Sequence, residues 1–133
     1  MKGVAKGPFT VKRAQLPVHD RMENLIGRHS IEKVYSGDLS AAAAGEMTSA
    51  GGTVPGSAGY VAIERVDGEL AGRKGTFYLQ HNGILNRGDG ALTIQVIPDS
   101  GTGDLQGLSG EMKIIIAPGG AHSYEFAWEI ATT

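Results

Sequence analysis

The stretch Glu111-Met112-Lys113-Ile114-Ile115-Ile116-Ala117-Pro118-Gly119-Gly120-Ala121-His122-Ser123-Tyr124-Glu125-Phe126-Ala127-Trp128-Glu129-Ile130 decides the fold. Its second half alternates. His122, Tyr124, Phe126, Trp128 and Ile130 share one parity, while Ser123, Glu125 and Glu129 share the other. Successive side chains of a strand point to opposite faces, so this period of two marks a strand with one buried side. Met112, Ile114 and Ile116 oppose Glu111 and Lys113 in the same way. A three-residue Pro118-Gly119-Gly120 loop pairs Ile116 with His122 and Ile114 with Tyr124, which keeps both apolar faces together. The segment is a β-hairpin.

Outward from this hairpin the same pattern recurs. Strands are expected near Pro8–Gln15, Arg28–Asp38, Ala41–Ala50, Ala58–Asp67, Gly75–Gly83, Ala91–Pro98, Leu105–Ala117 and Ala121–Ala131. Between them lie turn clusters rich in Gly and Asx, residues that tolerate positive φ. Leu16–Gly27 shows no period and reads as a loop with one helical turn. Ala41–Ala44 has helical propensity, but glycine and Glu46-Met47-Thr48 nearby leave no length for a helix, so it reads as a strand of small residues. Of the neighbours Glu46 and Met47 only one can point inward, and Met47 is the expected one.

Ala58–Asp67 is ambiguous, since either Tyr60, Ala62, Glu64 and Val66 or Val61, Ile63 and Arg65 could face inward. A two-residue type II′ turn at Gly72-Arg73 would set Val66 opposite Leu79 and Glu64 opposite His81. A three-residue loop would reverse the parity and expose Glu64. The two-residue turn is preferred because it places Val66 with the apolar set. Consecutive hairpins with a common inner face make a meander, and closing it removes the exposed sheet edges. The expected fold is all-β: a closed eight-stranded antiparallel meander barrel formed by one domain over residues 1–133. Such an interior is filled by side chains or holds one small ligand.

Composition narrows the function. The 21 glycines among 133 residues are about twice the usual share, and they are not periodic, which excludes collagen and disfavours a helical bundle. A net charge of −2 offers no basic face for nucleic acid. With no cysteine there are no disulfides, thiolate metal sites or Cys nucleophiles. No apolar run is long enough for a membrane span, and Met1–Leu16 lacks a signal-peptide core, so a soluble cytoplasmic protein is expected. The four His lack metal-ligand spacing, and there is no Walker sequence, G-x-S-x-G elbow or dinucleotide fingerprint. No metal and no cofactor are expected.

From Lys33 to Ile130 the chain resembles a bacterial family of small uncharacterised proteins with an allene oxide cyclase-like barrel. The resemblance is carried by Tyr35-Ser36-Gly37-Asp38-Leu39, by residues 59–66 (Gly-Tyr-Val-Ala-Ile-Glu-Arg-Val) and by residues 68–77 (Gly-Glu-Leu-Ala-Gly-Arg-Lys-Gly-Thr-Phe). Leu79-Gln80-His81, residues 98–105 (Pro-Asp-Ser-Gly-Thr-Gly-Asp-Leu) and His122-Ser123-Tyr124-Glu125-Phe126 continue it. The glycine-spaced segment 100–110 is also similar to one that leads into a barrel strand in allene oxide cyclases and dirigent proteins. The resemblance implies a closed eight-stranded meander and supplies no reaction.

Within that frame Glu64 and His81 form the candidate catalytic pair, since an acid and an imidazole in a low-dielectric interior can share or pass a proton. The plainer alternative is a buried polar contact that fixes strand register. Phe77, Leu79, Ile94, Met112, Phe126 and Trp128 are expected to line an apolar interior, with Tyr60, His122 and Tyr124 adding polar groups. For Tyr124 a core role with a bonded hydroxyl is the preferred reading, and for Tyr60 core packing is preferred over donation to a ligand oxygen. Val61 and Ile63, outward-facing near Ile84, form an apolar patch that suggests a homo-oligomer. Three functions fit: a binder of a small, mainly apolar molecule acting as a cofactor-independent isomerase or cyclase, a non-catalytic carrier or ligand sensor, and a structural barrel with a filled interior.

Overall fold

The computed structural model describes residues 1–131, so the last two residues of the expected domain lie outside the described part. Eight strands follow in order: β1 (Lys2–Gln15), β2 (Gly27–Tyr35), β3 (Leu39–Gly51), β4 (Ala58–Leu70), β5 (Arg73–Asn86), β6 (Asp89–Val96), β7 (Leu108–Ile116) and β8 (His122–Ile130). Each is antiparallel to its chain neighbour, and β1 pairs with β8 to close the barrel. The expected fold class is the observed one. Two short 3₁₀ turns, Asp20–Met22 and Gly103–Leu105, interrupt the connections.

β1 starts earlier than the expected Pro8 because it serves two partners. Lys2–Phe9 pairs with β8, and Phe9–Gln15 pairs with β2. Gly7 lies where the Tyr124 ring and the β2–β3 turn approach: a Cβ there would stand 2.0 Å from the Ser36 carbonyl oxygen. Only glycine fits.

The last hairpin has the expected register, Ile116 opposite His122 and Ile114 opposite Tyr124. The β4–β5 hairpin does not. Its central residues are Ala71 (φ 49°) and Gly72 (φ 83°), and Leu70 pairs with Arg73. Two positive φ values make a type I′ geometry, whose twist suits flanking strands. Glu64 therefore lies opposite Leu79, and His81 opposite Ala62, rather than opposite one another. The slide is two residues, so every side chain keeps its expected face.

β7 also begins later than the expected Leu105. Residues after Val96 run beside β5 instead: the Thr76 N–H donates to Thr102 Oγ1 at 3.0 Å, and the Thr102 N–H donates to the Thr76 carbonyl at 2.8 Å. This loop inserts Leu105 into the interior and seals one end of the barrel.

Packing divides the interior into two halves. Toward the sealed end, Leu39, Val66, Leu70, Phe77, Leu79 and Phe126 pack with almost no exposure. Phe77 and Phe126 stack with centroids 5.8 Å apart. At the other end, where odd strands finish and even strands begin, the side chains leave space.

Candidate functional site

Glu64 of β4 is only 1% exposed, and three side chains converge on its carboxylate. Lys33 Nζ lies 2.9 Å from Oε2, the Tyr35 hydroxyl donates to Oε1, and His81 Nε2 lies 3.5 Å from Oε2. The first two come from β2, across the intervening β3. They can reach because β3 turns Ala41, Ala43 and Gly45 inward at that crossing. A Cβ on Gly45 would stand 2.0 Å from the Ile63 carbonyl oxygen, so nothing larger than glycine can lie opposite Glu64. The strand of small residues expected from the sequence thus has a structural purpose.

Electrostatics fix the protonation of Glu64 and Tyr35. Burial alone would push the Glu64 carboxyl up, but the polar contact from His81, the Lys33 charge and the Tyr35 hydroxyl outweigh it and hold the pKa at about 2. Burial, followed by the neighbouring carboxylate, pushes the Tyr35 hydroxyl far above its usual range, so it remains a donor. The Lys33 ammonium also lies 5.2 Å from the Phe9 ring centroid and 5.8 Å from that of Tyr35, which compensates part of its lost hydration. Two polar atoms are left over: Glu64 Oε2 and His81 Nε2 are buried without a directed hydrogen bond. The Lys33 contact with Oε2 is thus a charge pairing rather than an aligned hydrogen bond, and His81 makes a close polar contact with the same oxygen.

Above this cluster lies a cavity of about 320 Å³. Its wall is mostly apolar, with Phe9, Val11, Ile31, Met47, Ala62, Leu92, Ile114 and Ile116. The polar lining consists of Arg13, Lys33, Tyr60, His81 and His122. Met47 faces inward as expected, while Glu46 is exposed and pairs with Arg28 at 2.5 Å. Tyr60 lies across the wall, where a Cβ on Gly83 would meet its ring at 2.2 Å. Burial raises its hydroxyl pKa, as does the Glu64 charge, against a smaller opposing effect of Arg13. His122 packs edge-on against Phe9 at 5.3 Å.

The expected site residues are therefore divided. His81, Tyr60 and His122 line the cavity, and Glu64 lies just behind the lining. Phe77, Leu79, Ile94, Met112, Phe126 and Trp128 are in the packed core and not on the cavity wall. Tyr124 is there too. Its hydroxyl donates to the Ser36 carbonyl at 2.6 Å and accepts from the Leu39 N–H at 2.8 Å, tying β8 to the β2–β3 turn. Lys33, Tyr35 and Arg13 were not anticipated. For the first two the signal was present: they share the inward parity of Ile31.

Outside the barrel, Val61 and Ile63 are 56% and 48% exposed, and Ile84 is exposed beyond them, the outward face expected for them although the β4–β5 register itself differs by two residues. Among the described residues, no three His, Cys, Asp or Glu side chains gather as metal ligands, and no helix is long and apolar enough to cross a membrane.

Comparison with known proteins places these features in a wider group. The family described as "Protein of unknown function (DUF3224)" matches residues 5–128. A crystal structure from Shewanella oneidensis MR-1, described as a protein with unknown function from the same family, is 41% identical. The similarity covers 100% of both chains with a TM-score of 0.92. No curated protein matches.

Proposed function

This chain belongs to the DUF3224 family of proteins of unknown function, and from its half-open barrel we propose that it binds one small, mainly apolar molecule with a polar end. The observation that carries this reading is the contrast between the two halves of one interior. Protein interiors are close-packed, and a barrel built only for stability gains by filling its voids. Here hydrocarbon fills one half, while the other keeps about 320 Å³ over a buried charged floor. That volume is at the small end of ligand pockets, and the lining has their usual character, an apolar wall with few polar groups.

The ligand lies against Val11, Ile31, Met47, Ile114 and Ile116, and its polar end turns toward His81, Tyr60 and Lys33. Native mass spectrometry of freshly purified protein tests the proposal directly. A bound small molecule that leaves on denaturation is the expected result. An empty protein that also fails to take up apolar probes would overturn it.

A second reading, an isomerase or cyclase, is favoured by the His81 environment. The carboxylate beside its Nε2 stays ionised and is fixed from two other sides, so the imidazole can take up and return a proton next to a confined ligand. Glu64 itself, held near pKa 2, is too weak a base for that task. Once the ligand is known, His81→Ala separates the readings. An enzyme loses about 10²–10⁴ in turnover, whereas a carrier or sensor loses affinity alone.

A further inference from the structure

We infer that the polar end of the ligand is a single negative charge of the carboxylate class, held by Arg13 and Lys33 of the cavity wall. The inference rests on the binding reading above and adds the chemical class. The ionisable side chains on the lining are Arg13, Lys33, His81, His122 and Tyr60, with no Asp or Glu among them. The one carboxylate nearby, Glu64, lies behind the lining and is matched to Lys33.

Subtracting that pair leaves Arg13 as the fixed positive charge without a counter-ion, for it makes no ion pair among the described residues. One uncompensated cation suits a monoanion better than a phosphate, which carries nearly two negative charges at neutral pH. A carboxylate also matches the planar fork of a guanidinium.

Lys33 adds a second donor. It is 7% exposed and lines the cavity, and its ammonium has Glu64 as its only charged partner. An ammonium has three N–H donors. Those not directed at Glu64 can meet a carboxylate in the cavity, where low dielectric strengthens the contact. The apolar wall accounts for the rest of the ligand, so the class is an aliphatic or aromatic monocarboxylic acid.

The test is calorimetric titration of the whole protein with octanoate, octanol and octylamine, three probes with one tail and different heads. Octanoate is expected to bind at least about tenfold tighter than octanol, the scale of one charge-assisted hydrogen bond, and octylamine weakest. Added salt should weaken octanoate more than octanol. Arg13→Gln, at an exposed position where folding is not at stake, should collapse the acid-over-alcohol ratio toward one. Octanol binding as tightly as octanoate, or a ratio unchanged in Arg13→Gln, overturns the carboxylate assignment and leaves the binding reading standing. If none of the three probes binds, both fall.

Discussion

At the scale of single residues, Glu64 concentrates the largest electrostatic commitment of the molecule. Its carboxyl ionises near pH 2 when folded, against 4.5 for the free group. Between those values the unfolded chain binds the proton more readily, so stability rises with pH across that window and is complete above it. As pH falls through about 2 the contribution is lost, and it amounts to about 3 kcal/mol. Glu64→Gln should therefore flatten the acid limb of a stability-versus-pH curve measured by urea unfolding. At neutral pH the same change leaves Lys33 buried without its anion, an expected loss of about 3–5 kcal/mol. Adding Lys33→Met should recover much of that loss, because the cost arises from an unmatched charge rather than from lost packing. Tyr124 is a simpler case. Tyr124→Phe leaves the buried Leu39 N–H without its acceptor, and unfolding should report a loss of about 1–3 kcal/mol with ligand binding unaffected.

Strand β3 shows how an element can shape a site without contributing a reactive group. Its inward Ala41, Ala43 and Gly45 form a low wall over which Lys33 and Tyr35 reach Glu64. Ala43→Leu would fill that passage. The expected result is about 1–3 kcal/mol of destabilisation from overpacking, together with loss of the acid-limb dependence described for Glu64. The same scale shows what the sequence could and could not convey. Parity is local, so the inward faces of β5, β7 and β8 were legible, whereas that of β4 was ambiguous and followed only from a two-residue turn that keeps Val66 with the apolar set and brings Glu64 and His81 to one side of the sheet. Register along β4–β5 was not, because sliding the turn from Gly72-Arg73 to Ala71-Gly72 moves pairs by two and changes no face. Lys33 escaped notice because a lysine between Ile31 and Tyr35 contradicts the usual exposure of its type. Its burial depends on an acid two strands away. The β6–β7 seam makes a further prediction. It is paired only at Gln95–Glu111, whereas β3 and β4 pair along their whole length. Within residues 91–93 and 113–115, which pair with β5 and β8 on their other edges, the amides that face this seam should exchange faster than the mid-strand amides shared by β3 and β4, since few ladder bonds protect them.

The whole barrel is polarised, and alternation alone cannot reveal it. Parity separates inside from outside but says nothing of height along the axis, which is why Phe77, Leu79 and Trp128 were indistinguishable from cavity residues in the sequence. Height is set by strand tilt, by the β1 handover at Phe9 and by the loop that drives Leu105 into one end. The consequence is a division of labour that substitution can measure. Leu79 is fully buried among packed neighbours, so Leu79→Ala should cost about 2–5 kcal/mol, the usual range for a core truncation. Met47 faces space that is already open, so Met47→Ala should cost under about 1 kcal/mol while changing affinity for apolar probes. Urea unfolding of both variants, beside titration with octanol, reads the two effects separately. Comparable losses of stability would mean that the cavity half packs as tightly as the sealed half, and the distinction between scaffold and site would disappear with it. A large difference, with affinity moving only in the Met47 variant, would assign stability to the end closed by Leu105 and recognition to the end above Glu64.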